Sequence, residues 1–220
     1  MARRDIFAAC ASTALLVAAA AAPGEARAGF RAQLDRAGLV ELPARAPGVS
    51  LELRYASDGN FTGRRLPGYC RPLAFLRRRA ARSLADVQRG LEARGLGLLV
   101  LDAYRPARAS RAMVRWAVRV GRPELLDGWI ARRSNHNRGT AVDLTLVRRE
   151  SGRPLDMGTP YDSFSPRSAT TAAGGRALRN RLKLRRAMEA AGFANYRREW
   201  WHYDYPGDRR ALRLDVPLGC

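Results

Sequence analysis

Apolar residues at Leu73, Leu76, Ala80, Leu84, Val87 and Leu91 recur at the three- and four-residue intervals that line one side of an α-helix. The pattern predicts a helix over residues 72–94, stopped at Gly95. Met113, Trp116, Ala117 and Val120 mark the inner face of a second helix over 107–120, and Leu178, Leu182 and Met188 that of a third over 177–191, closed by Gly192. Strand signals fall between them. Residues 50–55 alternate polar and apolar positions before a turn at Asp58-Gly59-Asn60, and Gly97-Leu98-Leu99-Val100-Leu101 is an unbroken apolar run of the kind buried on both faces. From Thr140 the chain alternates again, with Val142, Leu144 and Leu146 toward a core and Ala141, Asp143 and Thr145 on the other face. Residues 196–205 read as a returning strand, and 151–173 as a long, turn-rich connection. There is no internal repeat or second boundary, so the reading is α+β: a single compact domain with a small, mainly antiparallel sheet and helices packed on it.

The N-terminus changes this picture only at its edge. Arg3 and Arg4, the apolar run over 6–22 and Ala26-Arg27-Ala28 have the order of a secretory signal with a small-x-small cleavage site. Residues 1–28 are therefore read as a signal peptide and 29–220 as the functional domain, exported to the periplasm. An uncleaved anchor is the other reading of the run, and Arg3-Arg4 does not decide between general and twin-arginine export. Removing the signal removes Cys10 and leaves Cys70 and Cys220, which in an oxidising compartment either bridge the C-terminus to the loop near Cys70 or remain separate thiols.

A formal charge of +20 raises nucleic acid as a first partner. The charge is nearly all arginine, with Lys183 the sole lysine, and it is spread along an alanine- and glycine-rich chain. The densest cluster, Arg77, Arg78, Arg79 and Arg82, falls where a helix is predicted and reads as its solvated face. No aromatic-interleaved basic patch accompanies it, so nucleic acid is not read as a partner. Loose adhesion to anionic lipid or wall polymer stays compatible with the charge.

The chain has two histidines, His136 and His202. Gly139 permits a turn that returns His136 beside Asp143, which a strand presents rigidly. Two imidazoles and one carboxylate suit zinc with a fourth position open, as in a catalytic site. Glu199 precedes His202 by three residues, which on an ideal strand puts the two on opposite faces, so a bend or bulge is predicted there. With that bend Glu199 is placed to take a proton from the attacking water and pass it to a leaving amine. The plainer alternative is two hydrogen-bonded histidines and a paired carboxylate.

At these residues the sequence resembles the VanX-type D-alanyl-D-alanine dipeptidases, within the zinc D,D-peptidases that share Ser-x-His-x6-Asp and Glu-x-x-His. The likeness extends to Tyr55-Ala56 with Asn60-Phe61-Thr62-Gly63, to Asp102-Ala103-Tyr104-Arg105-Pro106, to Met157-Gly158 with Asp162, and to Gly192-Phe193 before Glu199-Trp200-Trp201-His202-Tyr203. It implies one zinc ion held by His136, Asp143 and His202, Glu199 as general base and acid, and Arg105 as the oxyanion partner. It further implies Tyr55 and Asp162 as receivers of a substrate ammonium and Ser134 as a residue near its carboxylate. The implied reaction is hydrolysis of a short dipeptide from peptidoglycan metabolism, with a D,D-carboxypeptidase or L,D-peptidase acting on stem peptides as the alternative. Oligomeric state is not readable.

Overall fold

Two strands at the centre of the molecule, β4 (Leu96–Asp102) and β5 (Ala141–Arg148), are buried almost throughout, and everything else is arranged on them. A computed structural model describes residues 23–208 and 210–220. The apolar run of the predicted signal lies outside the described residues, and its cleavage position falls within helix α1 (Pro23–Arg36). Among the described residues no helix is long and apolar enough to cross a membrane.

The main sheet has five strands, in the order β2 (Ser50–Leu51), β4, β5, β7 (His202–Asp204), β6 (Ala194–Asn195). Only β2 and β4 run parallel; the other neighbours are antiparallel. A small second sheet pairs β1 (Leu39–Glu41) with β3 (Phe75–Arg77). On one face of β4 and β5, Leu98, Val100, Val142, Leu144 and Leu146 enter the main core. Each buried aliphatic side chain there contributes about 1.5–3 kcal/mol. Helices α3 (Arg78–Glu92) and α5 (Gly175–Ala190) flank this core and touch each other. On the opposite face Leu99, Leu101 and Val147 form a smaller cluster under Tyr161.

The predicted helix over 72–94 divides. Phe75–Arg77 pairs with Leu39–Glu41, and the helix starts only at Arg78. Cross-strand pairing outweighs the helical spacing of Leu73 and Leu76, which recurs for too short a stretch to fix a helix by itself. Arg77 is accordingly not on a solvated face: its Nε donates to the Arg138 carbonyl at 2.7 Å and another nitrogen to Ala37, which ties β3 to the turn carrying His136. Val120 is half-exposed because helix α4 (Ala107–Arg119) has already ended, leaving Met113 and Ala117 to face the core. In α5 the innermost residues are Ala177, Arg181, Leu184 and Met188, with Leu178 and Leu182 only half-buried.

The predicted strand 196–205 is instead the second half of a hairpin. Strands β6 and β7 pair Ala194 with Asp204 and Asn195 with Tyr203, and residues 196–201 form the loop between them. The Trp200 N–H donates to Ser168 at 3.0 Å, away from the sheet, and Asn195 Nδ2 braces the loop by donating to the carbonyls of Glu199 and His202.

The C-terminal segment straps the loops behind the sheet. Cys70 and Cys220 are joined by a disulfide, 150 residues apart in sequence. Val216 N–H donates to the Tyr104 hydroxyl, which itself donates to the Val216 carbonyl, and Leu214 N–H donates to Asn137.

Candidate metal centre and active site

Three neighbouring strands bring three chemical groups into one row. Asp102 at the end of β4 pairs with Asp143 on β5, and Asp143 pairs with His202 on β7. A bulge between Val100 and Asp102 shifts the register of β4, so that the two acids lie opposite each other. His136 arrives from a 3-10 turn, Asn135–Arg138, in which the His136 N–H donates to the Ser134 hydroxyl and the Asn137 N–H to the Ser134 carbonyl, both at 3.2 Å. Gly139 ends that turn at φ 68°, and a side chain there would meet Leu39 at 2.6 Å, so the turn needs glycine both for its conformation and for the close approach.

The donor atoms form a tight triangle. His136 Nε2 lies 3.1 Å from His202 Nδ1 and 3.3 Å from Asp143 Oδ1, and His202 Nδ1 lies 2.9 Å from the same oxygen. The far nitrogen of each ring is already engaged: His136 Nδ1 donates to the Ala103 carbonyl at 2.7 Å, and His202 Nε2 to Asp204 at 3.2 Å. Two imidazole lone pairs and a carboxylate oxygen therefore converge on one point, which a cation satisfies and a single shared proton does not. Four donors around zinc at its usual bond lengths stand roughly 3.3 Å apart, so the triangle fits that ion. Burial opposes the charge of Asp143, but His136 and His202 hold its carboxyl well below the usual range. Burial likewise opposes charge on His202, and the hydrogen bonds to Asp143 and Asp204 more than reverse it, pushing the ring above the usual imidazole range.

Arg105 stands beside the triangle, nine-tenths buried. Asp102 Oδ2 accepts from its Nε at 2.9 Å and pairs with its Nη2 at 2.7 Å, and the guanidinium lies over the Tyr55 ring at 4.9 Å. Burial works against this cation, yet Asp102 and the nearby tyrosine oxygens keep its pKa above the ordinary arginine value. Tyr55 donates to Asp162 at 3.0 Å. Burial, reinforced by Asp143, pushes the Asp162 carboxyl upward. Asp162 also adopts φ 58°, a left-handed conformation that aspartate tolerates better than most residues. Glu199 is buried in the hairpin loop, and burial raises its carboxyl to about 8. One cavity of about 240 Å³ is lined by Tyr55, Arg105, Ser134, His136, Asp143, Asp162, Glu199 and His202, and its wall continues over Phe61, Trp129 and Phe164. The eight residues named from sequence thus meet in one place.

Residues 35–216 match the sequence profile of the family described as D-ala-D-ala dipeptidase. The chain belongs to this peptidase family. It is 38% identical to the D-alanyl-D-alanine dipeptidase of Enterococcus faecalis over 172 residues, 71% of this chain and 85% of that protein. It is 37% identical to the D-alanyl-D-alanine dipeptidase of Streptomyces coelicolor with the same coverage. The enzyme of that name from Escherichia coli is also 37% identical, over 78% of this chain and 86% of its own length.

Within this family member, the hairpin loop supplies the predicted bend between Glu199 and His202. The His202 N–H donates to the Glu199 carbonyl at 3.3 Å, so the two residues are turn partners and both side chains reach the cavity. Four supporting groups were not singled out from sequence. Asp102 orients Arg105 and also accepts from the Tyr69 hydroxyl. Asp204 orients His202 from two positions along the same strand face, a spacing that could have revealed it. The Ala103 carbonyl fixes His136. Tyr161 reaches Asp143 from the 151–173 connection, a contact no sequence period announces.

Proposed function

We propose that the protein is a zinc dipeptidase that hydrolyses free D-alanyl-D-alanine or a closely related short dipeptide. The observation that carries this is the convergence of three lone-pair donors beside a buried arginine, a buried glutamate and a tyrosine–aspartate pair in one small cavity. Bound by His136, Asp143 and His202, zinc would supply Lewis-acid polarisation of the peptide carbonyl and of the attacking water. Glu199 takes the proton from that water as its oxygen adds to the carbonyl carbon. It then delivers the proton to the amine nitrogen as the carbon–nitrogen bond breaks. Arg105, held by Asp102, donates to the carbonyl oxygen where negative charge develops, and its fixed charge loses nothing to reorganisation. Asp162 and Tyr55 receive the substrate ammonium, and Ser134 stands toward its carboxylate.

The ammonium pair favours a dipeptide over a stem peptide, whose amine is acylated at that position. The deciding assay offers free D-alanyl-D-alanine and a pentapeptide stem to the zinc-loaded protein. Release of D-alanine from the dipeptide supports the proposal; cleavage of the pentapeptide alone makes the protein a D,D-carboxypeptidase or L,D-peptidase. In Glu199→Gln, zinc stays bound while kcat falls by about 10²–10⁴.

We also propose that the chain is exported. The signal-like N-terminus supports this reading, and the Cys70–Cys220 disulfide suits an oxidising compartment. The charge of +20 supports loose adhesion to anionic surfaces, releasable by salt.

A further inference from the structure

Tyr161 has no part in the proposed reaction above, yet it touches both halves of the site. Its hydroxyl lies 2.8 Å from Asp143 Oδ2 and 2.9 Å from the Tyr55 hydroxyl. Its ring packs edge-on against Trp201 at 5.4 Å and covers Leu99, Leu101 and Val147 on the second face of the sheet. The ring is thus held by the fold, and the hydroxyl is held by the ring.

The two oxygens of Asp143 have different surroundings. Oδ1 faces His202 Nδ1 and His136 Nε2. Oδ2 is turned to Tyr161, and its next cation, Arg105 Nη2, stands 3.7 Å away, beyond hydrogen-bond distance. Tyr55 has one proton, committed to Asp162, so Tyr161 is the donor toward both the Tyr55 oxygen and Asp143 Oδ2, and the charged carboxylate, at 2.8 Å, is the stronger acceptor of its single proton. Without that donor a buried carboxylate oxygen loses its partner and must find another. The candidates at hand are Arg105 and the metal itself.

We infer that Tyr161 is a positioning residue: its hydroxyl holds Asp143 so that Oδ1 alone faces the metal, and it keeps Oδ2 from capturing Arg105. This rests on the reading of His136, Asp143 and His202 as a zinc site. An Arg105 drawn onto Asp143 leaves the carbonyl oxygen it is placed to stabilise, and a carboxylate free to rotate is a poorer ligand. Loss of the hydroxyl therefore acts on the metal and on the chemical step, and leaves recognition of the substrate ammonium in place.

The test is Tyr161→Phe in the full chain, which keeps the ring and removes only the oxygen. Zinc affinity is measured by competition with a chromophoric chelator, and steady-state rates are measured on D-alanyl-D-alanine at saturating zinc. The expected result is zinc binding weaker by about ten- to a hundredfold, the usual loss for a partner of a metal-bound side chain. At saturating zinc kcat falls about tenfold or more while KM stays within about twofold. Zinc affinity and kcat at wild-type values overturn the inference. So does a raised KM with unchanged zinc affinity, which assigns the hydroxyl to the ammonium pair instead. Failure of the wild-type chain to bind zinc brings down the metal reading itself, an outcome distinct from either.

Discussion

Asp143 on β5 and His202 on β7 are direct cross-strand partners, and their side chains meet at 2.9 Å between Oδ1 and Nδ1. The hydrogen bonds to Asp143 and Asp204 raise the proton affinity of this ring above that of an ordinary imidazole, so zinc bound here competes with a proton. Zinc must displace that proton. Adding zinc to chelator-treated protein is therefore expected to raise the melting temperature and to acidify an unbuffered solution. At a hundredfold excess over the dissociation constant the gain is about 2.7 kcal/mol. His202→Ala removes both effects; a melting point insensitive to zinc in the wild-type chain would contradict the site.

Glu199 gives a pH dependence whose sign can be worked out. Burial lifts its carboxyl to about 8; Asp143 adds to the rise, while His202 and Arg105 oppose it. An unfolded glutamate titrates near about 4.3. The folded state thus binds the proton more tightly, so the stability linked to it is complete below about 4.3 and is lost as pH rises toward about 8. Thermal melts of metal-free protein across this window should show wild type losing stability with pH more steeply than Glu199→Gln. Parallel curves would show that Glu199 titrates normally.

Gly139 combines a positive φ of 68° with a neighbour, Leu39, only 2.6 Å from where a Cβ would sit. Gly139→Ala strains the backbone and pushes the His136 turn off β1. A loss of about 1–3 kcal/mol is expected from the conformation alone. Weaker zinc binding should accompany it. Chemical denaturation and chelator competition check both, and an alanine variant with wild-type values of each would show that the turn adapts freely.

Chemistry was more legible in the sequence than backbone path. His136 and His202 stood out because there are no other histidines, and the alternation of residues 140–146 placed Asp143 on the face opposite Val142 and Leu144, where it lies. The hairpin loop at 196–201 was not legible, because its two tryptophans look like strand residues until Ser168 takes the backbone of Trp200. Phe75–Arg77 is hidden for a related reason: its partner, Leu39–Glu41, is distant in sequence, and pairing at that range leaves no local period. Tyr161 and Asp162 come from a stretch with no period at all, whose flanking residues Asp156, Met157, Arg167 and Ala169 are held by Asn180 and Arg181 of α5.

The disulfide offers a separate test of the C-terminal strap. It closes a loop of 150 residues and lies at the end of a segment whose Leu214 and Val216 bind Asn137 and Tyr104. Asn137 in turn donates to the Arg105 carbonyl at 2.9 Å, so the strap supports both the His136 turn and the arginine. Reduction, or Cys70→Ser with Cys220→Ser, is expected to cost about 2–5 kcal/mol. Denaturation with and without reductant measures it, and identical curves would show that the strap holds without the covalent link.

Arg181 lies wholly inside the protein, and its partners are mostly backbone. Its Nε donates to Met157 at 2.7 Å, and Nη1 donates to Arg167 at 2.9 Å and to Ala169 at 2.7 Å. Those carbonyls belong to the irregular connection that delivers Tyr161 and Asp162, and Trp200 of the hairpin loop joins the same network through Thr159 at 2.9 Å. A single guanidinium therefore ties the segment carrying Asp162 to the segment carrying Glu199. Arg181→Met fills similar space but takes the donor from the Met157 and Arg167 carbonyls, while Ala169 keeps the Ala172 N–H, and each carbonyl left unpaired inside the protein costs about 1–3 kcal/mol. The expected result is a loss of roughly 2–5 kcal/mol and a KM that rises more than kcat falls, since Asp162, proposed to receive the substrate ammonium, loosens while Asp143 on β5 and His202 on β7 remain in register. A variant that is destabilised but keeps the wild-type KM would show that the connection finds its place without Arg181.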